Sequence, residues 1–206
     1  MRNSIALLLL GVVTAPGIIE AQRSIDIEPI VGLYAPVGSY DHAASYFRVG
    51  TPESPRDNAG TAFGANARLW IMRNFGVQLQ GVTSTADHQT VATPGGGAYS
   101  TSSRVTALTA QLLYSPSLPA RARVWIGAGG GTIKHGGTAY AAYGTPSRAV
   151  IALGAGGSIP IWRGLSAGAG IDGLFYNWEL SDAAGTYQGG TETDLVAHLG
   201  LSLTVR

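Results

Sequence analysis

The clearest pattern in the chain is an alternation of apolar and other residues close to its C-terminus. From Leu195 to Val205 every second residue is apolar, and the residues between them are polar or glycine, with Val196 as the exception. A period of two places the two sets of side chains on opposite faces of a β-strand. The run is about twice an ordinary strand in length and suits a tilted strand that crosses a bilayer. The side chains predicted to face lipid are Leu195, Leu199, Leu201, Leu203 and Val205.

Seven earlier segments also favour strands, and none shows a sustained helical period. Long and short connections alternate between the eight strands, as in transmembrane barrels with short periplasmic turns and longer external loops. Lipid cannot bond free backbone groups, so a sheet in a membrane must close on itself. The sequence therefore predicts an all-β fold, an antiparallel up-and-down eight-stranded transmembrane β-barrel with four long external loops. Its predicted strands are residues 24–36, 61–70, 75–84, 103–114, 122–133, 147–159, 164–176 and 191–206.

Aromatic residues cluster near both ends of these strands, where amphipathic rings suit the two boundaries between water and hydrocarbon. We therefore expect two aromatic belts on the barrel. Those beside short turns are Trp70, Phe75, Tyr114, Trp125 and Trp162, and those near long loops are Tyr34, Tyr40, Phe63, Phe175, Tyr176 and Trp178.

The N-terminal residues carry the pattern of a secretory signal. Arg2 precedes an apolar run over residues 5–13, which is too short to span a bilayer as a helix. We predict a signal peptide over residues 1–21, cleaved after Ala21 or alternatively after Ala15, and a barrel domain over residues 22–206. The chain has no cysteine and a net charge of +1, so neither a disulfide framework nor binding to nucleic acid is indicated.

This arrangement of strands and loops resembles the small OmpA-type and OmpX-type outer-membrane barrels of Gram-negative bacteria. The resemblance covers residues 22–206 and rests on pattern. It implies location in the outer membrane, contact with outer-membrane lipids, and insertion by the barrel-assembly machinery. Such barrels commonly end in an amphipathic strand with a terminal aromatic residue, where this chain has Val205 and Arg206.

Five ionisable residues fall on the predicted inward faces: Asp26, Glu28, Arg68, Asp172 and His198. Because the first and last strands close the barrel, we expect Asp26 or Glu28 to reach His198 or Arg68. Charges inside low-dielectric walls are usually paired, and eight strands leave an interior that side chains fill. We interpret this lumen polar cluster as a structural plug; a proton or ion path is the alternative.

Two kinds of external chemistry are considered and neither is favoured. His42, His88 and His135 lie in three predicted loops and are weak candidates for a metal site, because no ligand spacing is fixed. Ser45 or Ser103 beside one of these histidines would give a lipid-modifying enzyme with a site at the rim. No spacing selects a pair, so we expect no enzyme activity and no cofactor.

The predicted function is a structural, adhesion or surface-interaction role, with a possible external partner bound through the loops. Residues 134–143 form the most distinctive external segment, since they combine glycine, tyrosine, lysine and histidine. The competing class is a secreted, soluble β-barrel that binds a small apolar ligand. Such a carrier would place its apolar face inside, so the direction in which the leucines point decides between the two.

Overall fold

Eight long β-strands make up most of the computed structural model, which describes residues 24–37, 56–57, 59–90, 99–118, 122–137, 147–178, 181–182, 185–186 and 190–205. Among these residues, three two-residue strands lie between the long ones: Arg56–Asp57, Ser181–Asp182 and Gly185–Thr186. Within the described part of the chain, no helix is long and apolar enough to cross a membrane. The long strands are β1 (Ser24–Pro36), β2 (Gly60–Trp70), β3 (Phe75–Thr90), β4 (Tyr99–Tyr114), β5 (Arg123–Gly136), β6 (Ser147–Trp162), β7 (Leu165–Trp178) and β8 (Gly190–Val205).

The sheet is closed. Each long strand pairs antiparallel with the strand before and after it in sequence. The first and last strands also pair, from Ile25 opposite Val205 to Pro36 opposite Asp194. The predicted all-β, antiparallel, up-and-down eight-stranded barrel is therefore confirmed.

Several strand boundaries differ from the prediction. The segment 85–101 was expected to be a loop, but β3 continues to Thr90 and β4 begins at Tyr99, and their backbones pair throughout. Likewise β5 continues through Lys134 and His135 to Gly136, inside a predicted loop. Cross-strand backbone bonds propagate these hairpins where the side chains are polar, so an apolar alternation cannot mark their ends.

The two faces of the barrel are chemically opposite. Large apolar side chains point outward; for example, Leu108 and Leu112 are exposed, whereas Thr109 and Gln111 between them are buried inside. The alternation of apolar and polar residues over 108–112 predicts this facing for β4. Val196, which breaks the alternation of the last strand, points inward and is fully buried.

The interior is filled in three layers. Along β2, Trp70 lies at the end that joins β3 through the short turn 71–74, Arg68 and Asn66 follow, and Ala62 comes next toward the long-loop end. The same order recurs on β4, from Leu113 through Gln111 to Ala107. Polar side chains thus lie between an aromatic layer and an apolar layer. The aromatic layer is Trp70, Leu113 and Trp125; the apolar layer is Tyr34, Ala62, Val82, Val105, Ala107, Ile133, Val150, Ala152, Leu174, Tyr176 and Val196.

This layering corrects the expected aromatic belts. Trp70, Trp125, Tyr34 and Tyr176 are buried inside the barrel, because they share strand parity with the inward residues. A ring near a strand end fills the lumen or faces outward according to that parity alone. Tyr40 and the side chain of Trp178 lie outside the described residues, and Phe175 is half-buried. Four rings of the predicted belts are exposed on the outer surface: Phe63, Phe75, Tyr114 and Trp162.

Candidate functional site: the polar layer of the lumen

The first ion pair of the polar layer joins neighbouring strands. Glu28 on β1 contacts the guanidinium group of Arg68 on β2 through its Oε2 atom, and the two side chains are 0% and 2% exposed. Arg68 Nε also donates to Gln78 Oε1 at 2.7 Å, and Asn66 Nδ2 lies 3.3 Å from Glu28 Oε2. Charges removed from water require such partners, since an unpaired buried charge is strongly destabilising.

The second charged pair is centred on Asp172. His198 Nε2 lies 3.2 Å from Asp172 Oδ2 on the neighbouring strand. Gln80 on β3 donates to the same oxygen at 2.8 Å, and Gln111 on β4 donates to Oδ1 at 2.8 Å. One carboxylate therefore accepts hydrogen bonds from three other strands, two of which lie on the far side of the lumen.

Glycines in the wall make room for these side chains. A Cβ atom at Gly170 would lie 2.7 Å from both Cε1 and Nε2 of His198, and one at Gly200 would lie 2.7 Å from Oε1 of Glu28. No real Cβ tolerates such distances, so a larger residue would displace the charged groups. Residues 127–131 of β5 contain four glycines, and one of them, Gly127, serves the same purpose, because a Cβ atom there would meet Gln111.

Asp26 lies nearer the short-turn end than the other four residues of the predicted cluster. Its carboxylate accepts hydrogen bonds from Trp70 Nε1 at 2.8 Å and from Thr204 Oγ1 at 2.7 Å. The structure brings Glu28 to Arg68 and pairs His198 with Asp172, not with a carboxylate of β1. The layer also contains amide side chains whose strand parity is a sequence signal for an inward position: Asn66, Gln78, Gln80 and Gln111.

A second polar group, which the sequence did not indicate, lies at the long-loop end. Tyr34 and Tyr176 both donate to Asp194 Oδ2, at 2.6 and 2.9 Å, and His135 Nε2 is 3.3 Å from the Tyr176 hydroxyl. His135 was predicted to be a solvated loop residue, and this is wrong: it is 0% exposed. Its place two residues after the inward Ile133, on an extended β5, explains the difference.

The three histidines considered for a metal site are not brought together. His42 lies outside the described residues, and for His88 only the backbone is described, paired with Thr101. Among the described side chains, no group of three or more His, Cys, Asp or Glu residues is placed to hold a metal ion. Of the proposed rim residues, Ser103 is buried inside the barrel on β4, next to the strand of His135, and Ser45 lies outside the described residues.

The residues predicted to face lipid lie on the outer face of β8. Leu199, Leu201, Leu203 and Val205 are exposed there, and Leu195 is half-exposed. Arg206 lies outside the described residues.

Comparison with known proteins yields solved structures but no sequence families. No protein-family model matches this chain, and no curated protein matches it. The outer membrane protein OprG from Pseudomonas aeruginosa is similar over 91% of this chain and 97% of its own, with 13% identity and a TM-score of 0.64. A major outer membrane protein from Thermus thermophilus is similar over 89% and 99%, with 15% identity and a TM-score of 0.53.

Neisserial surface protein A is also similar, over 88% of this chain and 96% of its own, with 10% identity and a TM-score of 0.51. These identities are low, so the likeness concerns the fold. The match nevertheless extends over nearly the whole length of each neighbour. This chain therefore has the fold of the small eight-stranded β-barrels of outer membranes, the type to which the OmpA-like and OmpX-like barrels belong.

Proposed function

We propose that this chain is an outer-membrane β-barrel that is closed by its own side chains and acts as a rigid anchor for segments exposed at its long-loop end. One observation carries the proposal: the outer face is apolar, and the ionisable side chains of the polar layer lie in the interior. Leu199 is 63% exposed, whereas Asp172, on the neighbouring strand, is buried in the lumen. Hydrocarbon is the solvent that suits such an outer surface.

The same facing argues against a soluble carrier of apolar ligands. A soluble barrel would expose its charges to water and enclose its leucines, which is the reverse of the arrangement in this chain. Cell fractionation tests the membrane location. The full chain should remain in the membrane pellet during carbonate extraction at high pH and should float with outer-membrane vesicles in a density gradient. Release of the protein without detergent would contradict the proposal.

The closed lumen is supported by contacts that cross it. Gln80 and Gln111 reach Asp172 from the opposite wall, between an aromatic layer on one side and an apolar layer on the other. A channel for solutes needs a continuous water-filled path, and these three polar side chains are buried instead of facing bulk water. Purified protein in planar bilayers should therefore show no steady conductance, and a stable open level in the wild-type protein would contradict this part of the proposal.

A surface role would be exerted from the long-loop end. Lys134 is exposed there near the end of β5, and the chain between Gly137 and Ser147 carries the tyrosines of the distinctive segment identified in the sequence. Deleting residues 138–144 should reduce attachment of cells to surfaces or partners while leaving barrel assembly intact. Unchanged attachment would favour a purely structural role in the envelope.

Lipids of the outer membrane and the barrel-assembly machinery are the partners that this proposal requires.

An enzyme at the rim is the second candidate function. Its supporting observation is that Ser103 and His135 occupy neighbouring strands at the long-loop end of the barrel. Analysis of lipid A from a strain that lacks this protein distinguishes the two functions. Loss of an enzyme should change the acyl pattern of lipid A, whereas loss of an anchor should leave it unchanged.

A further inference from the structure

The short-turn half of the lumen contains two copies of one four-residue pattern. Ala67-Arg68-Leu69-Trp70 ends β2, and Ala122-Arg123-Val124-Trp125 covers the start of β5. In each copy the arginine and the tryptophan are two residues apart, so both side chains point into the lumen. Because strand directions alternate around the barrel, β2 and β5 run in opposite directions, and the two copies are antiparallel.

This antiparallel arrangement brings each arginine to the tryptophan of the other copy. The Cζ atom of Arg68 lies 4.2 Å from the ring centroid of Trp125, and that of Arg123 lies 4.3 Å from the ring centroid of Trp70. Guanidinium groups over an aromatic face within about 6 Å are attracted to it, most strongly when both are removed from water. Strands β3 and β4 separate β2 from β5 in the sheet, so both contacts cross the lumen.

Neighbouring strands hold Trp70 and Arg68 through polar contacts, and a third strand packs against the tryptophans. Trp70 Nε1 donates to Asp26 on β1. Arg68 is held by Glu28 on β1 and by Gln78 on β3. Leu113 on β4 belongs to the same apolar cluster as Trp70 and Trp125. Five consecutive strands therefore contribute to one interlocked group at the end of the barrel that carries the short turns.

We propose that the two Ala-Arg-x-Trp copies form a reciprocal cation–π brace that closes the short-turn end of the lumen and ties its opposite walls together. This inference rests on the proposed function, since it assigns the closure of the barrel to particular residues. It goes beyond the ion pairs of the polar layer, which join neighbouring strands or surround Asp172. The brace joins β2 to β5 directly.

Double-mutant cycles test the brace itself. Arginine is replaced by glutamine and tryptophan by leucine in the full mature chain, and the unfolding equilibrium is measured by urea titration in lipid vesicles. The cross-lumen pairs, Arg68 with Trp125 and Arg123 with Trp70, should each show a coupling of about tenfold in the unfolding equilibrium constant. The same-strand pairs, Arg68 with Trp70 and Arg123 with Trp125, should show little coupling. Equal coupling in the two sets, or none in the cross-lumen pairs, would overturn the proposal.

Access of water to the polar layer from the short-turn end tests the closure. The chain contains no cysteine, so Ser202→Cys introduces a single thiol at a buried position on β8. A water-soluble maleimide should label this thiol slowly when both tryptophans are present and at least about tenfold faster when Trp70→Ala/Trp125→Ala is added. Trp162→Ala is the matched control, because this tryptophan is 77% exposed on the outer face. Heat-modifiable gel migration confirms folding, and the leucine variants replace the alanine variants if these do not refold. Equal labelling rates with and without the two tryptophans would overturn the brace as the element that closes the short-turn end. A steady current through the wild-type protein would instead contradict the proposed function, and the coupling cycles would then decide the brace alone.

Discussion

Gln80 on β3 reaches across the lumen to Asp172 on β7, and its Nε2 atom lies 2.8 Å from the Oδ2 oxygen of the carboxylate. The two residues are far apart in sequence and lie on strands that do not pair. With Gln111 and His198, this contact makes Asp172 the acceptor that links four strands. The energetic consequences of such a shared acceptor can be measured.

Removing that acceptor should be strongly destabilising. Asp172→Ala leaves three buried donors without their partner, and breaking a buried pair costs about 3–5 kcal/mol. Urea unfolding in lipid vesicles measures the effect. The double variant Asp172→Ala/His198→Ala should cost clearly less than the sum of the two single changes, because the second change no longer breaks an interaction. Strict additivity would show that the pair seen in the structure contributes nothing.

Substitution of the inward-facing glycines that lie against the polar layer should destabilise the barrel. Gly170→Ala places a methyl group against the His198 ring and should lower the free energy of unfolding by about 1–3 kcal/mol, as overpacking does. Gly81→Ala is the matched control, since the nearest atom to its added Cβ would be Leu108 Cδ1 at 3.9 Å. Similar effects at both positions would mean that strand propensity, not the space for His198, sets the cost.

The cost of placing a charged side chain on the outer face should depend on its depth in the bilayer, as it does in membrane barrels. Leu201→Arg, near the middle of the outward apolar run 195–205, should cost about 2–4 kcal/mol, whereas Val205→Arg, at the end of the strand, should cost about 0–1 kcal/mol. Both residues are about half exposed, so burial within the protein does not distinguish them. Equal small costs in vesicles would contradict the placement of this face in hydrocarbon.

The hydroxyl groups of Tyr34 and Tyr176, at the long-loop end, should contribute to the free energy of unfolding. Tyr34→Phe removes a 2.6 Å hydrogen bond to Asp194, and a bond to a charged group is worth about 1.5–3 kcal/mol. Tyr114→Phe, on the exposed outer face, provides the control and should change the unfolding free energy by less than roughly 0.5 kcal/mol, the range for surface changes. Equal unfolding free energies for the two variants would show that the hydrogen bond from Tyr34 to Asp194 does not stabilise the barrel.

Much of the barrel was predictable because its physical cause is local. Alternation with a period of two predicted the outward set on β8, and the same parity placed Glu28, Arg68, Asp172 and His198 inside. Alternation did not predict the strand bounds where the side chains are mostly polar, because such a segment has no apolar period. The extended hairpin of β3 and β4 is held by backbone bonds, so polar side chains such as Thr85 and Ser102 gave no sign of it.

The sequence did not show which side chains meet across the lumen. Parity states that Gln80, Gln111 and His198 point inward, but which of them meets Asp172 depends on how the strands are staggered when the sheet closes. The same holds for Arg68 and Arg123, each of which lies two residues from one tryptophan and binds the other. The sequence by itself determined the number of strands, their closure and the facing of the ionisable residues, because these follow from the alternation of apolar residues and the need to pair every backbone group. Only the tertiary structure decided which side chains meet inside, because curvature and register bring distant strands face to face.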